Sequence, residues 1–481
     1  MLKLILRQAN WGILGAIFGF SIGFFVKIYL IDIVGLTAWG KYVTVQTFSS
    51  ISETFLSLGI PYVIIKFMPS FVENNKDKAS RVANVFLKYA VVIGVGYLFL
   101  VYFLSSYINH IVYSDIDDLS WLLFIMCMHV PISMLFGVVI SLYRSVLKIK
   151  EVVLYGTVVT VTVRAILTFI IFQFTDDIGH FILLEVFTQI LVLSILLFLF
   201  NKNEFSIFVK SDTKEIIRDT KMVDYGRKMF YNSVVAFISA QALSFIISIK
   251  LPSADVGAYN ILLTLSGITT FLLINLNKVF APAISKLHHE KNYIELDDLY
   301  KKTTFILNLC SIPLAVIVAI FSDEILDLYT ADMLAYKKYL FYMLAGGMLS
   351  LATGSSGTFM VMAGLEKQNL KLQLIRAILL IFLSLWFIPI FGLLSVVALY
   401  VVFMLFINGA QLIYIGKYLQ ISPFSKELFF LFGLTVIVMY FAINQEFIFQ
   451  IYHFIVVPIL VYFCYFSIFF QPLKRLVKDV L

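Results

Sequence analysis

"RAILTFIIF", residues 164–172, and "RAILLIFLS", residues 376–384, open on the same four residues, and each lies in a long apolar run. A chain this rich in Ile and Leu contains a few identical tetrapeptides by chance. The position of the two arginines therefore decides what the repetition means. A charge inside a run of about 20 apolar residues lies within a bilayer. There it costs a few kcal/mol or more, and it faces a cavity or a partner unless it can reach an interface.

The chain has 481 residues, of which 61% are hydrophobic, 16% aromatic and 14% charged, with a mean hydropathy of +0.96. A soluble domain carries about a quarter charged residues, so too few are present to cover a water-facing surface. The apolar runs repeat at bilayer-crossing length and do not alternate, which excludes a barrel. The sequence therefore predicts an all-α polytopic membrane protein. Spans are expected near 11–31, 41–67, 82–106, 119–142, 152–173, 179–200, 229–249, 257–283, 303–322, 333–363, 369–391, 393–415, 427–443 and 448–470, about fourteen in all. The second, eighth and tenth are long and rich in Ser, Thr, Gly and Asn. The opening "MLKLILRQAN" reads as the start of a retained first span, because no small-residue cleavage site follows. Cys127, Cys310 and Cys464 all fall in apolar runs and read as small packing residues.

Short loops divide by charge. One side carries Lys3, Arg7, Lys76, Lys78, Arg81, Arg144, Lys148, Lys150, the basic residues of 201–228, Lys286, Lys291, Lys301, Lys302, Lys367, Lys371, Lys417 and the tail with Lys474, Arg475 and Lys478. The other carries Asp115, Asp117, Asp118, Asp176, Asp177, Asp255, Asp323, Glu324 and Asp327, with Lys250, Lys337 and Lys338 as its basic residues. The positive-inside rule makes the basic side cytoplasmic and puts both termini there. This bias accounts for the net charge of +7, so nucleic acid is not an expected partner. The longest soluble stretch, 201–228, mixes charges with Phe205, Ile207, Phe208, Ile216 and Ile217; it reads either as an amphipathic helix on the membrane surface or as a solvated connector.

A duplication is visible. "WGKYVTVQTFSS" from Trp39 and "VGAYNILLTLSG" from Val256 align Gly40 with Gly257 and Tyr42 with Tyr259. Gln46, Ser49, Glu53 and Ser57 follow Tyr42 on one helical face, and Ser266, Thr270 and Asn277 follow Tyr259. Arg164 lies on the fifth span of a first set of six and Arg376 on the fifth of a second set, after the basic loops "VLKIKEVV" and "GLEKQNLK". Two six-helix bundles are expected, related by a pseudo-twofold axis along the membrane normal, with a C-terminal helix pair outside the repeat. The corresponding domains are 1–200, a linker 201–228, 229–415 and 416–481.

Depth sorts the buried charges. Arg164 is about twelve residues, roughly 18 Å, into its span, beyond snorkelling reach; Glu53 is similarly deep. Both are expected to face a polar chamber between the bundles. Arg376 is about seven residues from its basic end, which leaves a cavity role and snorkelling both open. Lys27 continues the face of Gly15, Gly19 and Gly23, which should pack closely on other helices and hold Lys27 inside. Glu185 is ambiguous, and Lys66 and Lys278 lie near ends they can reach. A chamber with buried cations suits an anionic headgroup, and Arg favours multi-oxygen recognition of phosphate.

The stretch from Gly35 through Gly40 to Tyr42 resembles the "LGxxxxGxY" start of the second helix in bacterial polysaccharide flippases of the Wzx type. "SLGIPYVIIKFMPSF" from Ser57 and "DYGRKMFYNS" from Asp224 are similar to the end of that helix and to the entry into the second half. That family belongs to the multidrug/oligosaccharidyl-lipid/polysaccharide exporter superfamily. The resemblance implies alternating-access translocation of undecaprenyl-pyrophosphate-linked oligosaccharide across the bacterial cytoplasmic membrane, for O-antigen, capsule or a similar surface polysaccharide. It implies a cationic central cavity, matched here by Arg164, Arg376 and Lys27. In the expected mechanism Gln46, Ser49, Thr270 and Asn277 bond sugars, and Glu53 carries a coupled proton or sodium ion or neutralises a cation. Expected partners are the lipid-linked oligosaccharide, membrane lipids, and polysaccharide polymerase and chain-length proteins; no cofactor or metal is expected. Family members often carry an acid late in the seventh helix, where this chain has Leu243 and Ser244. The last two spans are similar to a lipid II flippase layout, in which Phe429, Phe430, Phe432, Tyr440 and Phe441 would meet a lipid tail. Two rivals stand beside this reading. A cation-coupled drug exporter of the same superfamily should prefer an acidic cavity. A polysaccharide polymerase or ligase usually carries one large external loop, which the sequence lacks; among the histidines only His129 and His453 fall in spans, without a visible acidic partner. No enzyme is expected.

Overall fold

In this computed structural model the described residues are 2–113, 119–209, 220–444 and 453–470. Of the residues singled out above, Asp115, Asp117, Asp118, Lys210, Lys214, Ile216, Ile217, Arg218, Lys474, Arg475 and Lys478 lie outside them, as do the side chains of Lys3, Arg7, Lys278, Phe441 and His453. The chain is all-helical among the described residues, as composition dictates: in hydrocarbon each backbone polar group must be satisfied within its own segment. It forms two compact units, 1–257 and 258–481.

The first unit opens with α1 (Leu2–Leu56), two helical arms that meet at Gly35. Gly35 has φ 80° and ψ 167°, a conformation essentially confined to glycine. Next come α2 (Ile60–Asn74), α3 (Lys76–Val112) and α4 (Leu119–Ser145). The second predicted span is broken between α1 and α2, where Leu58 (φ 48°) and Gly59 (φ 70°) are both left-handed and Pro61 follows in the first turn of α2. The fifth span is composite: α5 (Ile149–Val153), a π turn (Leu154–Val159) and α6 (Thr160–Ile171). It is followed by α7 (Ile178–Asn203) and α8 (Thr220–Lys250).

Helix α4 is the centre of this unit and packs on α1, α2, α3 and α7. The small-residue face of α1 meets the fifth span as expected: a Cβ on Gly15 would collide with Val153, and one on Gly19 would come within 3.0 Å of Thr157, while Gly23 has open space. Residues 204–209 are not helical. Phe205 and Ile207 are buried in the core, Asn84 Nδ2 donates to the Ile207 carbonyl at 2.8 Å, and Phe208 is exposed. Beside them Glu204 pairs with Lys148 at 3.1 Å and holds its ammonium above the ordinary lysine range. Helix α8, expected from sequence to open the second bundle, packs on α1 and α2 of the first unit.

In the second unit follow α9 (Ser253–His289), α10 (Tyr293–Ile320), α11 (Ser322–Asp327), a 3-10 turn (Ala331–Tyr336), α12 (Lys337–Leu351), α13 (Ser356–Met362), α14 (Glu366–Phe391), α15 (Leu393–Leu419), α16 (Lys426–Asn444) and α17 (His453–Ile468). Helix α15 packs on α12, α13 and α14, and α10 packs on α12. The terminal pair, α16 and α17, docks on α10; Tyr462 donates to the Cys310 carbonyl at 3.2 Å, and Phe305 meets Phe469 edge-on at 5.5 Å.

Among the described residues nine helices are long and apolar enough to cross a membrane, or ten when the two arms of α8, bent by 54° between Ile238 and Gln241, count as one. The expectation of about fourteen counted the arms of α1 as two spans, on either side of the non-helical Gly35, and joined α12 to α13, which are broken at Gly354 (φ 59°) and are each short.

Candidate functional site

The fifth and sixth spans run against each other, and this places Arg164 of α6 beside Glu185 of α7. Arg164 Nη1 donates to Glu185 Oε1 at 2.6 Å; the two side chains are 25% and 9% exposed. The second carboxylate oxygen is held from α1, where the Tyr42 hydroxyl donates to Oε2 at 2.9 Å and Gln46 Nε2 donates to that hydroxyl at 2.9 Å. Tyr42 is fixed in turn by Trp39, stacked at 4.7 Å, and by Phe181 of α7, edge-on at 5.4 Å. Lys27 Nζ lies 5.2 Å from the centre of the Trp39 ring, a cation–π contact. From α4, His129 lies beside Gln189 and within electrostatic range of Glu185, Glu53 and Arg164. So four elements bring Gln46 and Arg164 together around a carboxylate that sequence reading left ambiguous, with Lys27 against the neighbouring Trp39.

The depth argument for Arg164 changes accordingly. It lies seven residues before Ile171, the end of α6, and Glu185 lies seven residues after Ile178, the start of α7. Both are therefore about 10 Å below the same end of the unit. A π turn lies between the basic end of the span and Arg164. The guanidinium turns to Glu185 and not outward. Above it, a cleft of about 610 Å³ is lined by Lys41, Asn109, Trp121, Asp176 and Asp177 and opens on the acidic side of the unit.

Other predicted residues do not join this cluster. Ser49 faces α4, with its hydroxyl 3.5 Å from the Met126 carbonyl. Glu53, eleven residues or about 16 Å along α1 from Tyr42, accepts from Ser133 of α4 at 2.7 Å. Ser57, the last residue of the expected face, donates to the Thr54 carbonyl at 3.0 Å, and the neighbouring Ser50, Ser52 and Thr54 bond carbonyls four residues back.

The second unit repeats part of the arrangement. Tyr400 stands seven residues into α15 as Glu185 stands seven into α7. Tyr400 is in electrostatic range of Arg376 and of Tyr259, and within bonding reach of Ser266. Arg376 Nη1 also donates to Gln373 at 3.4 Å. Thr270 donates to the carbonyl of Gly267 at 3.1 Å. Asn277, eighteen residues or about 27 Å along α9 from Tyr259, belongs to another group: it accepts from Ser355 at the break between α12 and α13. There Asn308 Nδ2 takes the Leu351 carbonyl at 2.7 Å, Tyr300 donates to the Thr353 carbonyl at 2.7 Å, and Ser356 donates to Gln411 at 2.7 Å. Sequence reading missed Tyr42 as a ligand of Glu185, Ser133, Tyr400 and the Asn308 group. The equal offsets of Glu185 and Tyr400 from their helix starts were the available signal for the first and third.

An all-helical bundle of apolar, membrane-length helices, with a buried ion pair beside an open cleft, defines a multi-pass membrane protein. The family model described as polysaccharide biosynthesis protein matches residues 5–288, more than half of the chain, and the chain belongs to that family. A second model, MatE, matches residues 231–386. No curated protein sequence matches the chain. The fold is similar to that of the solved lipid II flippase MurJ in an inward closed conformation (TM-score 0.74, 16% identity, covering 97% of this chain and 100% of that one). It is also similar to a MOP superfamily transporter from Pyrococcus furiosus Vc1 (TM-score 0.61, 12% identity, 87% and 96% covered). An inward-facing multidrug resistance MATE family transporter gives TM-score 0.62, 12% identity, with 86% and 98% covered. The chain thus has the fold of the multidrug/oligosaccharidyl-lipid/polysaccharide exporter superfamily.

Proposed function

We propose that the protein is a flippase that moves undecaprenyl-pyrophosphate-linked oligosaccharide from the cytoplasmic to the outer leaflet of the bacterial cytoplasmic membrane. It works by alternating access, with both termini cytoplasmic, and supplies a surface polysaccharide such as O-antigen or capsule. The observation that carries this reading is Arg164, a planar multi-donor cation held inside an apolar bundle of a polysaccharide biosynthesis family member. Its fork of N–H groups suits phosphate oxygens better than a lysine would. Lys27 and Arg376 add positive charge, Gln46, Ser49, Thr270 and Asn277 offer bonds to sugars, and Glu53 is a candidate for an accompanying proton or sodium ion. The lipid tail stays in the bilayer, where the aromatic faces of α16 and α17 are candidates to meet it; Phe429, Phe430 and Tyr440 are exposed. Polymerase and chain-length proteins are the proposed partners.

The test is export of the surface polysaccharide in a strain whose own copy is replaced by Arg164→Ala. Export is expected to fall to a small fraction of wild type at normal protein level; unchanged export sinks the assignment. A second reading is favoured by the MatE match over 231–386: a cation-coupled drug exporter of the same superfamily. Drug resistance conferred on an efflux-deficient strain, with no polysaccharide phenotype, would select it.

A further inference from the structure

Glu185 occupies the place on Arg164 that an anionic ligand needs. Its Oε1 lies 2.6 Å from Nη1, and its Oε2 is held by Tyr42, itself braced by Gln46 and Trp39. The guanidinium is not saturated: its Nε is buried with no hydrogen-bond partner among the described residues. A guanidinium has five N–H donors, enough for a phosphate or a carboxylate in bidentate fashion. We infer that Glu185 is a resident counter-anion, displaced when phosphate binds Arg164, and that it takes up one proton as it is displaced. The inference rests on the phosphate-binding role proposed for Arg164.

The physical reason is charge. Glu185 is 7% exposed in an apolar bundle, and a carboxylate stripped of its cation there is costly unless it is neutralised. The groups that face it from each packed element are Tyr42 from α1, Arg164 from α6 and His129 from α4, with Glu53 and Lys27 further along α1. The π turn contributes Tyr155, which lies by Tyr143 at the other end of the unit. Of these, Arg164 is the cation in contact with the carboxylate, at 2.6 Å. In the step itself the Nη1–H···Oε1 bond breaks and phosphate oxygens take the guanidinium donors. A proton from water on the loading side ends on Glu185, whose Oε2 still accepts from Tyr42. When the ligand leaves on the far side, the proton is given up and the ion pair re-forms. Loading thus couples one anionic lipid to one proton through Glu185, and Glu53 is not needed for it. The pair also sets specificity, because a neutral or cationic molecule gains nothing by displacing the carboxylate.

The test uses the purified full-length protein and farnesyl pyrophosphate as probe, with binding measured calorimetrically across pH 6–8 in two buffers of different ionisation enthalpy. Wild type is expected to take up close to one proton per probe bound, beyond the probe's own titration, and to bind about tenfold more weakly per pH unit of rise. Glu185→Gln, which keeps shape and the Tyr42 contact, should bind at least tenfold more tightly at pH 8, with the excess uptake gone; it also supplies the probe's baseline. His129→Gln should keep the uptake. If Glu185→Gln retains both wild-type affinity and proton uptake while Arg164→Gln loses binding, Glu185 is no counter-anion and the inference is overturned with the phosphate role intact. If His129→Gln abolishes the uptake instead, it is overturned likewise. If Arg164→Gln binds like wild type, the phosphate role itself fails.

Discussion

Replacing Arg164 with methionine separates what the ion pair does for stability from what it does for transport. At 2.6 Å and an effective dielectric of about 20, the attraction is roughly 6 kcal/mol before either ion's desolvation is subtracted. Removing one partner of such a pair typically costs about 3–5 kcal/mol, because the other charge remains buried. Here the exposure is 25% for Arg164 and 9% for Glu185, so the stranded carboxylate keeps little water, and the Tyr42 hydroxyl still donates to it. The expected loss for Arg164→Met is therefore about 3 kcal/mol, the lower end, since helices persist after unfolding in micelles. The double variant Arg164→Met with Glu185→Leu removes both charges and should return to within about 1 kcal/mol of wild type, as apolar replacements of buried pairs do. Reversible unfolding in mixed micelles, run as a double-mutant cycle, measures this directly. Export should fail in the single and the double variant alike, even though the double is stable. A loss below about 1 kcal/mol for Arg164→Met would show that the pair is hydrated or uncharged, and the reasoning from burial would then be refuted.

Two further outcomes follow from packing and backbone satisfaction. A Cβ at Gly40 would collide with the backbone of Ser253, whereas one at Gly23 meets nothing within 4 Å; Gly40→Ala should sharply lower the yield of monodisperse protein, and Gly23→Ala should leave it unchanged. Asn308→Leu removes the donor that holds the Leu351 carbonyl at the break between α12 and α13, and it should cost about 1–3 kcal/mol of unfolding free energy in the same micelle assay.

The all-helical membrane class was legible because hydrophobic length and charge asymmetry are local, additive properties of a sequence. Gly40 and Gly257, aligned from the sequence, are both close-approach positions: a Cβ on Gly257 would come within 2.6 Å of the Leu36 carbonyl. Span boundaries were less legible. Gly35 falls between the first two expected spans, but the break at Leu58 and Gly59 inside the second and the π turn at 154–159 are invisible to hydropathy. The site was half legible. Depth along a helix singled out Arg164, but the partner of a buried charge is set by how helices rotate against each other, and single-chain periodicity does not carry that. Glu185 looked peripheral because its distance to an end was counted without knowing that Arg164 stands at the same level. The expected face of Gln46, Ser49, Glu53 and Ser57 divides among separate partners, Tyr42, Met126, Ser133 and the Thr54 carbonyl, which periodicity alone does not show.

The two halves differ where they would most be expected to agree. Tyr42 and Tyr259, and Arg164 and Arg376, are shared by both, yet the residue seven positions into the following helix is Glu185 in one unit and Tyr400 in the other. Packing does not force this exchange, since a phenol and a carboxylate can each accept from a guanidinium. Charge is what changes: a carboxylate cancels its arginine, and a neutral phenol does not. A carboxylate at position 400 as well would hold Arg376 in an internal pair of its own. With one carboxylate, a single displacement admits the anion. The divergence at 185 and 400 is thus the sequence change on which a one-proton exchange depends, and Glu185→Gln isolates its consequence without altering the shape of the helix face.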